Sequence, residues 1–426
     1  MIHKVPPPKS TRVAAMTFCC GAEAAERGLL VAACVVAWLA GACRSVTTPD
    51  APPDCATAPA RAGSPLPTGP SESPARPWRT TPPIVGVWAV PPLQVDTDVP
   101  LPGDTQRFDY QSVDTGMNRL YISHMGDGNM VVFDLQADRV VATVGNLPTV
   151  TGVLAVPELG KVYASATGLH QVAIVNDTTL QIVAQVGPIG FPDGLAYAPD
   201  QQKVYVSDES GGGELVIDGR SNQVVTTIPL GGQAGNTVYD AGSRCILVAV
   251  QTQDQLVAID PRTDHVIGRY NPAGASHPHG LLVDAPRRLL FLANQGTALL
   301  SVVDLQTMRV LRTEPIGSVP DVLAFDPAWQ RLYVASESGV VSVFTELGGS
   351  LQLDGEVTMP HAHTVAADPR THLVYFPLQD LAGQPVLRIM SGTPPPPAGA
   401  WQGEMGLRAS AAIPRGIGGR KAFASP

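Results

Sequence analysis

Residues 203–218 read KVYVSDESGGGELVID, and this stretch decides the fold of the chain. Apolar and polar side chains alternate along KVYVS, and ELVID is short and rich in β-branched residues, which predicts two short β-strands. The intervening ESGGG is rich in turn-forming residues, as expected of a hairpin loop. Further strand candidates flank the hairpin, PDGLAY at 192–197 and NQVVTTI at 222–228. The region therefore predicts four consecutive antiparallel strands, which we call A to D in chain order.

This four-strand pattern recurs along the chain at a nearly constant period. Its landmark is an aromatic residue or leucine in strand B, and successive landmarks are 42, 42, 42, 44, 42 and 42 residues apart. Such a period is typical of β-propellers, in which each repeat forms one four-stranded blade. The sequence thus predicts an all-β, seven-bladed β-propeller over residues 84–392. The seven landmarks are Tyr121, Tyr163, Tyr205, Leu247, Phe291, Tyr333 and Tyr375.

Two further columns of short polar residues keep the same register. One follows each landmark by thirteen residues, and the other lies at the turn between strands A and B. Asp and Asn bond back to their own backbone in turns, so we expect both columns to be structural. The first contains Asp134, Asn176, Asp218, Asp260, Asp304 and Glu346, and the second contains Asp114, Asp240, Asp284, Asp326 and Asp368.

The repeats resemble the YVTN-repeat β-propeller family. That family's Tyr-Val-Thr-Asn and Val-Ile-Asp motifs occur in degenerate form, as Tyr205-Val206-Ser207-Asp208 with Val216-Ile217-Asp218. A second example is Phe291-Leu292-Ala293-Asn294 with Val302-Val303-Asp304. The resemblance covers roughly residues 105–390 and implies a bacterial extracytoplasmic propeller. It implies little about function, because the motif residues are structural.

The ring is expected to close with a strand from the N-terminal side. Four prolines follow Thr393, and proline cannot pair within a sheet, so blade seven lacks its own strand D. The sequence LQVDTDVP at 93–100 resembles a strand D and precedes the first repeat. We expect it to complete blade seven and cover the bare sheet edge, with 84–90 as a further contributor. Residues 393–426 are expected to form a flexible tail.

The N-terminal region has the pattern of a targeting segment. Residues 29–40 read LLVAACVVAWLA, an apolar run too short to span a membrane but of the length of a signal-peptide core. The run is followed by Gly41-Ala42-Cys43, which resembles a bacterial lipobox and would make Cys43 the lipidated residue. We expect 1–43 to be a signal peptide with this lipobox. Ordinary secretion and a retained anchor remain the alternatives.

A Pro-, Ala-, Ser- and Thr-rich segment at 44–83 is expected to be a disordered tether, because it cannot bury enough apolar surface to fold. The cysteines form no CxxC metal pair and no disulfide framework, and Cys245 is expected to be a small buried apolar residue. These features predict an extracytoplasmic protein, either lipid-anchored in the cell envelope or periplasm, or secreted. We expect a monomer that meets the membrane only through its lipid.

Composition narrows the range of partners. The formal net charge is −9, no large basic cluster occurs, and aromatic residues make up only 5% of the chain. Phosphate-driven binding and base stacking are therefore not expected, which excludes nucleic acid as the main partner. The sequence also lacks a GxSxG nucleophile elbow, a P-loop and a CxxCH haem attachment motif.

Candidate site residues lie where the A strands begin, close to the expected axis. The position twelve residues before each landmark reads Asp109, Thr151, Asp193, Gly235, His279, Asp321 and His363. Two positions earlier, Arg107, His277 and His361 occur. Polar groups from different blades would thus converge on one axial face. The predicted ligand or partner face is Arg107, Asp109, Thr151, Asp193, His277, His279, Asp321, His361 and His363.

Three functions are consistent with such a face. The first is a scaffold that binds a ligand or protein without covalent chemistry. The second is a metal-dependent hydrolase or lyase, in which His279, Asp321 and His363 hold a divalent metal in the axial channel. The third is a haem- or copper-linked redox accessory protein, since an axial histidine can ligate haem. A purely structural ring of polar residues around channel water is the simplest alternative, and we favour the binding scaffold among the functions.

Overall fold

The computed structural model describes residues 91–394 of the chain. The chain divides into two units, residues 1–50 and 51–426, and all described residues belong to the second. The predicted signal peptide, tether and most of the predicted tail lie outside the described residues. Within 91–394, no helix is long and apolar enough to cross a membrane.

The described residues form a seven-bladed β-propeller of four-stranded antiparallel blades, which confirms the predicted fold. Blade one contains β2 (Gln111–Asp114), β3 (Arg119–His124), β4 (Asn129–Asp134) and β5 (Arg139–Val144); blade two contains β6 (Val150–Val156), β7 (Lys161–Ala166), β8 (Gln171–Asn176) and β9 (Ile182–Val186); blade three contains β10 (Pro192–Ala198), β11 (Lys203–Asp208), β12 (Gly213–Asp218) and β13 (Gln223–Pro229).

Blade four contains β14 (Ala234–Asp240), β15 (Cys245–Val250), β16 (Gln255–Asp260) and β17 (His265–Tyr270); blade five contains β18 (Pro278–Asp284), β19 (Leu289–Asn294), β20 (Leu299–Asp304) and β21 (Arg309–Pro315); blade six contains β22 (Pro320–Asp326), β23 (Arg331–Ser336), β24 (Val340–Glu346) and β25 (Leu351–Thr358). Blade seven contains β26 (Ala366–Ala367), β27 (Leu373–Leu381), β28 (Gln384–Gly392) and, as its outer strand, β1 (Leu93–Pro100). Between residues 91 and 394, three short 3-10 turns occur, at Pro157–Leu159, Thr167–Leu169 and Gln251–Gln253.

The apolar core lies between neighbouring blades. The landmark side chains are buried, and Tyr121 of blade one packs with Val153 and Val162 of blade two. Similar clusters join the other neighbouring pairs, and one of them combines blades seven and one. Each blade therefore buries its apolar faces only when both neighbours are present, as in other repeat architectures.

The acidic columns have the structural role that their register predicts. Asp114 Oδ1 accepts hydrogen bonds from the backbone N–H groups of Gly116 and Met117, at 2.9 and 3.0 Å. Asp134 Oδ1 bonds in the same way to two backbone N–H groups after strand β4. These contacts fix the tight turns, so the regular spacing of the acidic residues has a structural cause.

Strand β1 closes the ring, as the sequence predicts. It pairs antiparallel with β28 over Leu93–Pro100, giving the sheet order β1, β28, β27, β26. Arg388 donates from Nε and one Nη to the two carboxylate oxygens of Asp98, both at 2.8 Å. Leu93 is buried in the cluster of blades six and seven. The expected contribution of 84–90 lies outside the described residues.

Cys245 departs from expectation. It begins β15 and is buried, as predicted, but it is also disulfide-bonded. No other cysteine occurs in 91–394, so its partner lies outside the described residues. The expectation that Cys245 acts only as a small apolar residue is therefore wrong, since cysteine spacing alone cannot identify a bond between distant segments.

Shortening Leu93 should destabilise the whole ring. We expect Leu93→Ala to lower the free energy of unfolding by about 2–5 kcal/mol, because a buried leucine on the closing strand leaves a cavity between two blades. The measurement is equilibrium denaturation by urea. The control is Val95→Ala on the same strand, where the side chain is 50% exposed and the expected change is within about 0.5 kcal/mol. Equal effects of the two changes would contradict closure through this strand.

Candidate ligand site on the axial face

The A strands present the predicted column to the axis through a repeated irregularity. Thr151, Asp193, His279 and Asp321 are each the second residue of their strand. In each case the pairing with strand B shifts directly after this residue, as between Pro192 and Leu195. Such bulges re-aim side chains and are common near binding sites. Here they bring one side chain per blade to the same end of the channel.

Glycines allow neighbouring A strands to approach closely. Gly152 follows Thr151, and a Cβ atom at this position would collide with the carbonyl oxygen of Asp193. Gly280 follows His279, and a Cβ atom there would collide with the carbonyl oxygen of Asp321. Only glycine fits such a close backbone approach. Side chains from adjacent blades therefore meet at the axis.

A cavity of about 170 Å³ lies at this end of the axis. Five of its lining residues are acidic, and two others, Arg107 and His279, are basic groups. Four of the lining residues lie in B–C loops and four lie on A strands. The lining residues are Arg107, Asp109, Tyr110, Met125, Thr151, Phe191, Asp193, Glu209, His279, Gln295, Asp321 and Glu337.

Tyr110 crosses the channel and forms the floor of this cavity. Its hydroxyl lies 3.1 Å from Asp193 Oδ2 and 3.5 Å from His279 Nε2, and it also contacts the side-chain oxygen of Asn236. Burial, followed by the charge of Asp193, holds the pKa of the phenol well above its usual range, so it stays a neutral donor. Tyr110 also lines a second cavity of about 360 Å³, so it separates the two ends of the channel.

His279 and Asp321 form a buried ion pair. His279 Nε2 lies 3.2 Å from Asp321 Oδ1, and both side chains are more than nine-tenths buried. Burial alone would lower the pKa of His279, but the hydrogen bond and charge of Asp321 outweigh it and raise that pKa to about 9. Burial would raise the pKa of Asp321, yet the same contact lowers it. The pair is therefore charged at neutral pH.

The pKa of Asp109 is shifted in the direction opposite to that of Asp321. Its side chain is 5% exposed, lines the cavity and makes no hydrogen bond or ion pair with any described residue. Burial, and then the charges of Asp321 and Asp193, raise its pKa well above the usual range. Burial also raises the pKa of Asp193, to about 6. The charges of Arg107 and His279 oppose this shift of Asp109 but do not outweigh burial and the neighbouring carboxylates.

Arg107 lies at the mouth of the cavity. Its Nη1 is 2.9 Å from Glu337 Oε1, and its Nη2 is 3.7 Å from Asp321 Oδ2. The Arg107 side chain is 37% exposed and that of Glu337 is 39% exposed, so this pair faces solvent. Together they form a charged rim above the buried acids.

One group of side chains has the composition and spacing of a metal site. Asp109, Asp321 and His363 come from blades one, six and seven, and one ligand atom from each lies within 4.8 Å of the others. His363 Nε2 is 2.7 Å from the carbonyl oxygen of Phe108. The set differs from the predicted His279, Asp321 and His363, because His279 faces Asp321 and Tyr110 and the geometry adds Asp109.

The structure divides the predicted ligand face into two groups. Arg107, Asp109, Thr151, Asp193, His279 and Asp321 line the cavity, and His363 is buried beside them. His277 and His361 are exposed and do not line it. Both have positive φ angles, 44° and 66°. At this left-handed turn the side chain points away from the direction taken by the second histidine of the pair. The His-x-His pattern therefore places one ring per pair at the axis.

Sequence reasoning missed Tyr110, Glu209 and Glu337. The two glutamates belong to a column four residues after each landmark, which is polar in six of seven copies and lies in the B–C loop. That column was a usable signal, because B–C loops end on the same side as the A strands begin. Tyr110 is the only aromatic residue in the column that follows the predicted one, where three blades have glycine.

Comparison with known proteins supports the fold and no finer identity. No protein-family model matches the sequence, and no curated protein matches it. Among solved structures 1650 chains match, so the likeness is shared by many proteins. One is a chain described as Kuenenia stuttgartiensis hydrazine synthase, with 13% identity and a TM-score of 0.60, and the match covers 73% of this chain and 100% of that chain. Such a likeness shows the propeller fold alone, and the resemblance to YVTN-repeat propellers stays a prediction.

Protonated His279 should stabilise the fold below neutral pH. Its pKa is raised from 6.5 to about 9 in the folded state, so the stabilisation is complete below about pH 6.5 and is lost as the pH rises through about 9. We expect the free energy of unfolding of the wild type, relative to His279→Gln, to fall by up to about 3 kcal/mol over this range, at roughly 1.4 kcal/mol per pKa unit.

Urea denaturation at several pH values in the presence of a chelator measures this difference. His277→Gln is the matched control, because that imidazole is exposed and two residues away, and its curve should run parallel to the wild type. A difference between wild type and His279→Gln that stays constant with pH would show that the buried pair is not charged.

Proposed function

We propose that this protein is a binding scaffold of the cell envelope, and that its axial face recognises a small, positively charged group. The observation that carries this proposal is the charge of the cavity. Its five acidic side chains outnumber the two basic ones, Arg107 and His279. Leaving Asp109 aside, four carboxylates face two cations in a partly buried space with a solvent-facing rim. A cation that enters this space relieves their repulsion.

The size of the cavity limits the ligand. Its volume of about 170 Å³ is below the roughly 300–1,000 Å³ that is usual for pockets of drug-sized ligands. A metal ion, a small amine, or the end of a lysine or arginine side chain from a partner matches this volume. Haem does not, which disfavours the haem-linked alternative at this site. Loops on the same face would provide the wider contact area for a protein partner.

The enzymatic alternative depends on a metal. The residues that would hold this metal are Asp109, Asp321 and His363, whose ligand atoms lie within 4.8 Å of one another. A scaffold needs only complementary charge and shape, which the cavity provides through residues of five blades. Binding is therefore the function that this geometry supports best.

Small cations should bind at the axial cavity and depend on its rim. We expect isothermal titration with ethylammonium, guanidinium and divalent metal ions to detect at least one binding cation. Glu337→Gln should weaken that binding by about tenfold, because it removes one charge from a partly shielded site. Arg107→Gln should strengthen it by a similar factor, since it removes a competing cation.

The control for these variants is Glu314→Gln, which removes one negative charge from outer strand β21, far along the sheet from the axis. Its binding should equal that of the wild type. If no cation in the panel binds, or if Glu314→Gln and Glu337→Gln weaken binding equally, the axial face is not a cation site.

Attachment to the cell envelope is the second part of the proposal. Its support is the sequence alone, namely the apolar run at 29–40 followed by Gly41-Ala42-Cys43 and a Pro-rich stretch. A lipid on Cys43 and a tether at 44–83 would hold the propeller away from the membrane surface. The axial face would then be accessible to soluble ligands or partners.

Replacing Cys43 should release the protein from the membrane fraction. When the full chain is expressed in a bacterium with lipoprotein processing, we expect Cys43→Ser to lose radiolabelled palmitate and to move from the membrane to the soluble fraction. Cys55→Ser, in the expected tether, is the matched control and should keep the lipid label. Equal labelling of both variants would place the lipid elsewhere or exclude it.

A further inference from the structure

Three side chains next to the axial cavity form a candidate metal site. We propose that Asp109, Asp321 and His363 bind one divalent transition-metal ion, with a coordination position open to the cavity. The inference rests on the proposed function, because it names the small cation that the axial face recognises. It differs from the predicted metal set by including Asp109 and leaving out His279.

The spacing of the donors fits a shared ion. Their ligand atoms lie within 4.8 Å of one another. Carboxylate oxygens and imidazole nitrogens bind zinc at about 2.0–2.2 Å, so two ligand atoms of a tetrahedral ion are about 3.3–3.6 Å apart. From the outer limit of 4.8 Å, each ligand atom would move inward by up to about 0.8 Å, which side-chain rotation can provide. Since the three donors come from blades six, seven and one, the closed ring itself assembles the site.

His363 is oriented as a metal ligand. Its Nε2 lies 2.7 Å from the carbonyl oxygen of Phe108, so Nε2–H donates and Nδ1 keeps its lone pair. Ligating histidines generally donate their other N–H to a carbonyl or carboxylate, which fixes the ring and the tautomer.

Asp109 gives independent support for a ligand. A carboxyl group that is 5% exposed is expected to have hydrogen-bond partners, yet Asp109 has none among the described residues and faces the cavity. A bound cation would supply the missing partner.

The donor set favours a particular class of ion. Calcium and magnesium prefer coordination by oxygen alone, whereas one imidazole with two carboxylates suits zinc, manganese or cobalt. Asp321 Oδ1 already lies 3.2 Å from His279 Nε2, and Asp321 Oδ2 lies 3.7 Å from Arg107 Nη2. A carboxylate has about four lone-pair directions, so it can ligate an ion as well, although both cations compete with the metal. Three protein ligands leave room for water or a ligand atom.

The test uses the full-length protein without a His tag, stripped by a chelator and titrated with Co²⁺. We expect one Co²⁺ per chain, with visible absorption bands that Zn²⁺ abolishes and that Mg²⁺ and Ca²⁺ do not. Asp109→Asn and His363→Gln should each weaken binding by at least about tenfold to a hundredfold. His361→Gln is the matched control, because it is exposed on the same segment and should bind as the wild type does.

A change at the rim of the cavity gives a second readout. Arg107→Gln should tighten Co²⁺ binding, because it removes a competing cation from Asp321. Circular dichroism and thermal unfolding of each metal-free variant distinguish a lost ligand from a lost fold. If Asp109→Asn unfolds, His363→Gln still tests the site, because glutamine retains much of the bulk of the histidine side chain.

The possible failures are distinguishable. Binding of ethylammonium or guanidinium without any Co²⁺ or Zn²⁺ would overturn the metal site and leave the cation-binding scaffold intact. Binding of no cation at all would overturn both. Co²⁺ binding that His279→Gln abolishes and Asp109→Asn leaves unchanged would overturn this ligand set.

Discussion

Closure of the ring is the constraint on which the rest of this structure depends. Each blade buries its apolar faces against two neighbours, so an open array would expose two blade faces and one bare sheet edge. Strand β1 removes that edge by pairing with β28, and the Arg388–Asp98 pair holds the joint. The proposed metal ligands come from blades six, seven and one, which only the closed ring brings together. Ring closure and site assembly are therefore one event.

The axial cavity is lined by five acidic side chains and only two basic ones. The pKa of His279 is raised because Asp321 outweighs its burial, whereas the pKa of Asp109 is raised because burial and two neighbouring carboxylates outweigh Arg107 and His279. Tyr110 limits the depth of the cavity by crossing the channel, and Arg107 occupies its mouth. This arrangement is the basis for proposing a small cation, rather than a large cofactor, as the ligand.

The repeat made much of this structure predictable. A landmark such as Tyr205 identifies strand B, and a fixed offset from it identifies turn residues such as Asp218 and axial residues such as Asp193. The offset could not show that His277 and His361 turn outward, because each takes a left-handed conformation that spacing does not reveal. It also could not show that Tyr110 reaches across the axis, because its hydroxyl contacts blades that are distant in sequence. The disulfide of Cys245 was missed because the spacing of cysteines does not identify a bond between residues that are distant in sequence.

The sequence by itself determined the number of blades, their strand order and the strand that closes the ring. These properties follow from local periodicity and turn chemistry, which every copy of the repeat carries. Only the tertiary structure decided which polar side chains share a cavity, which of them are charged, and that Asp109 rather than His279 joins Asp321 and His363. Those properties depend on distances and burial between residues up to 254 positions apart, from 109 to 363, and on the desolvation that only a closed ring produces.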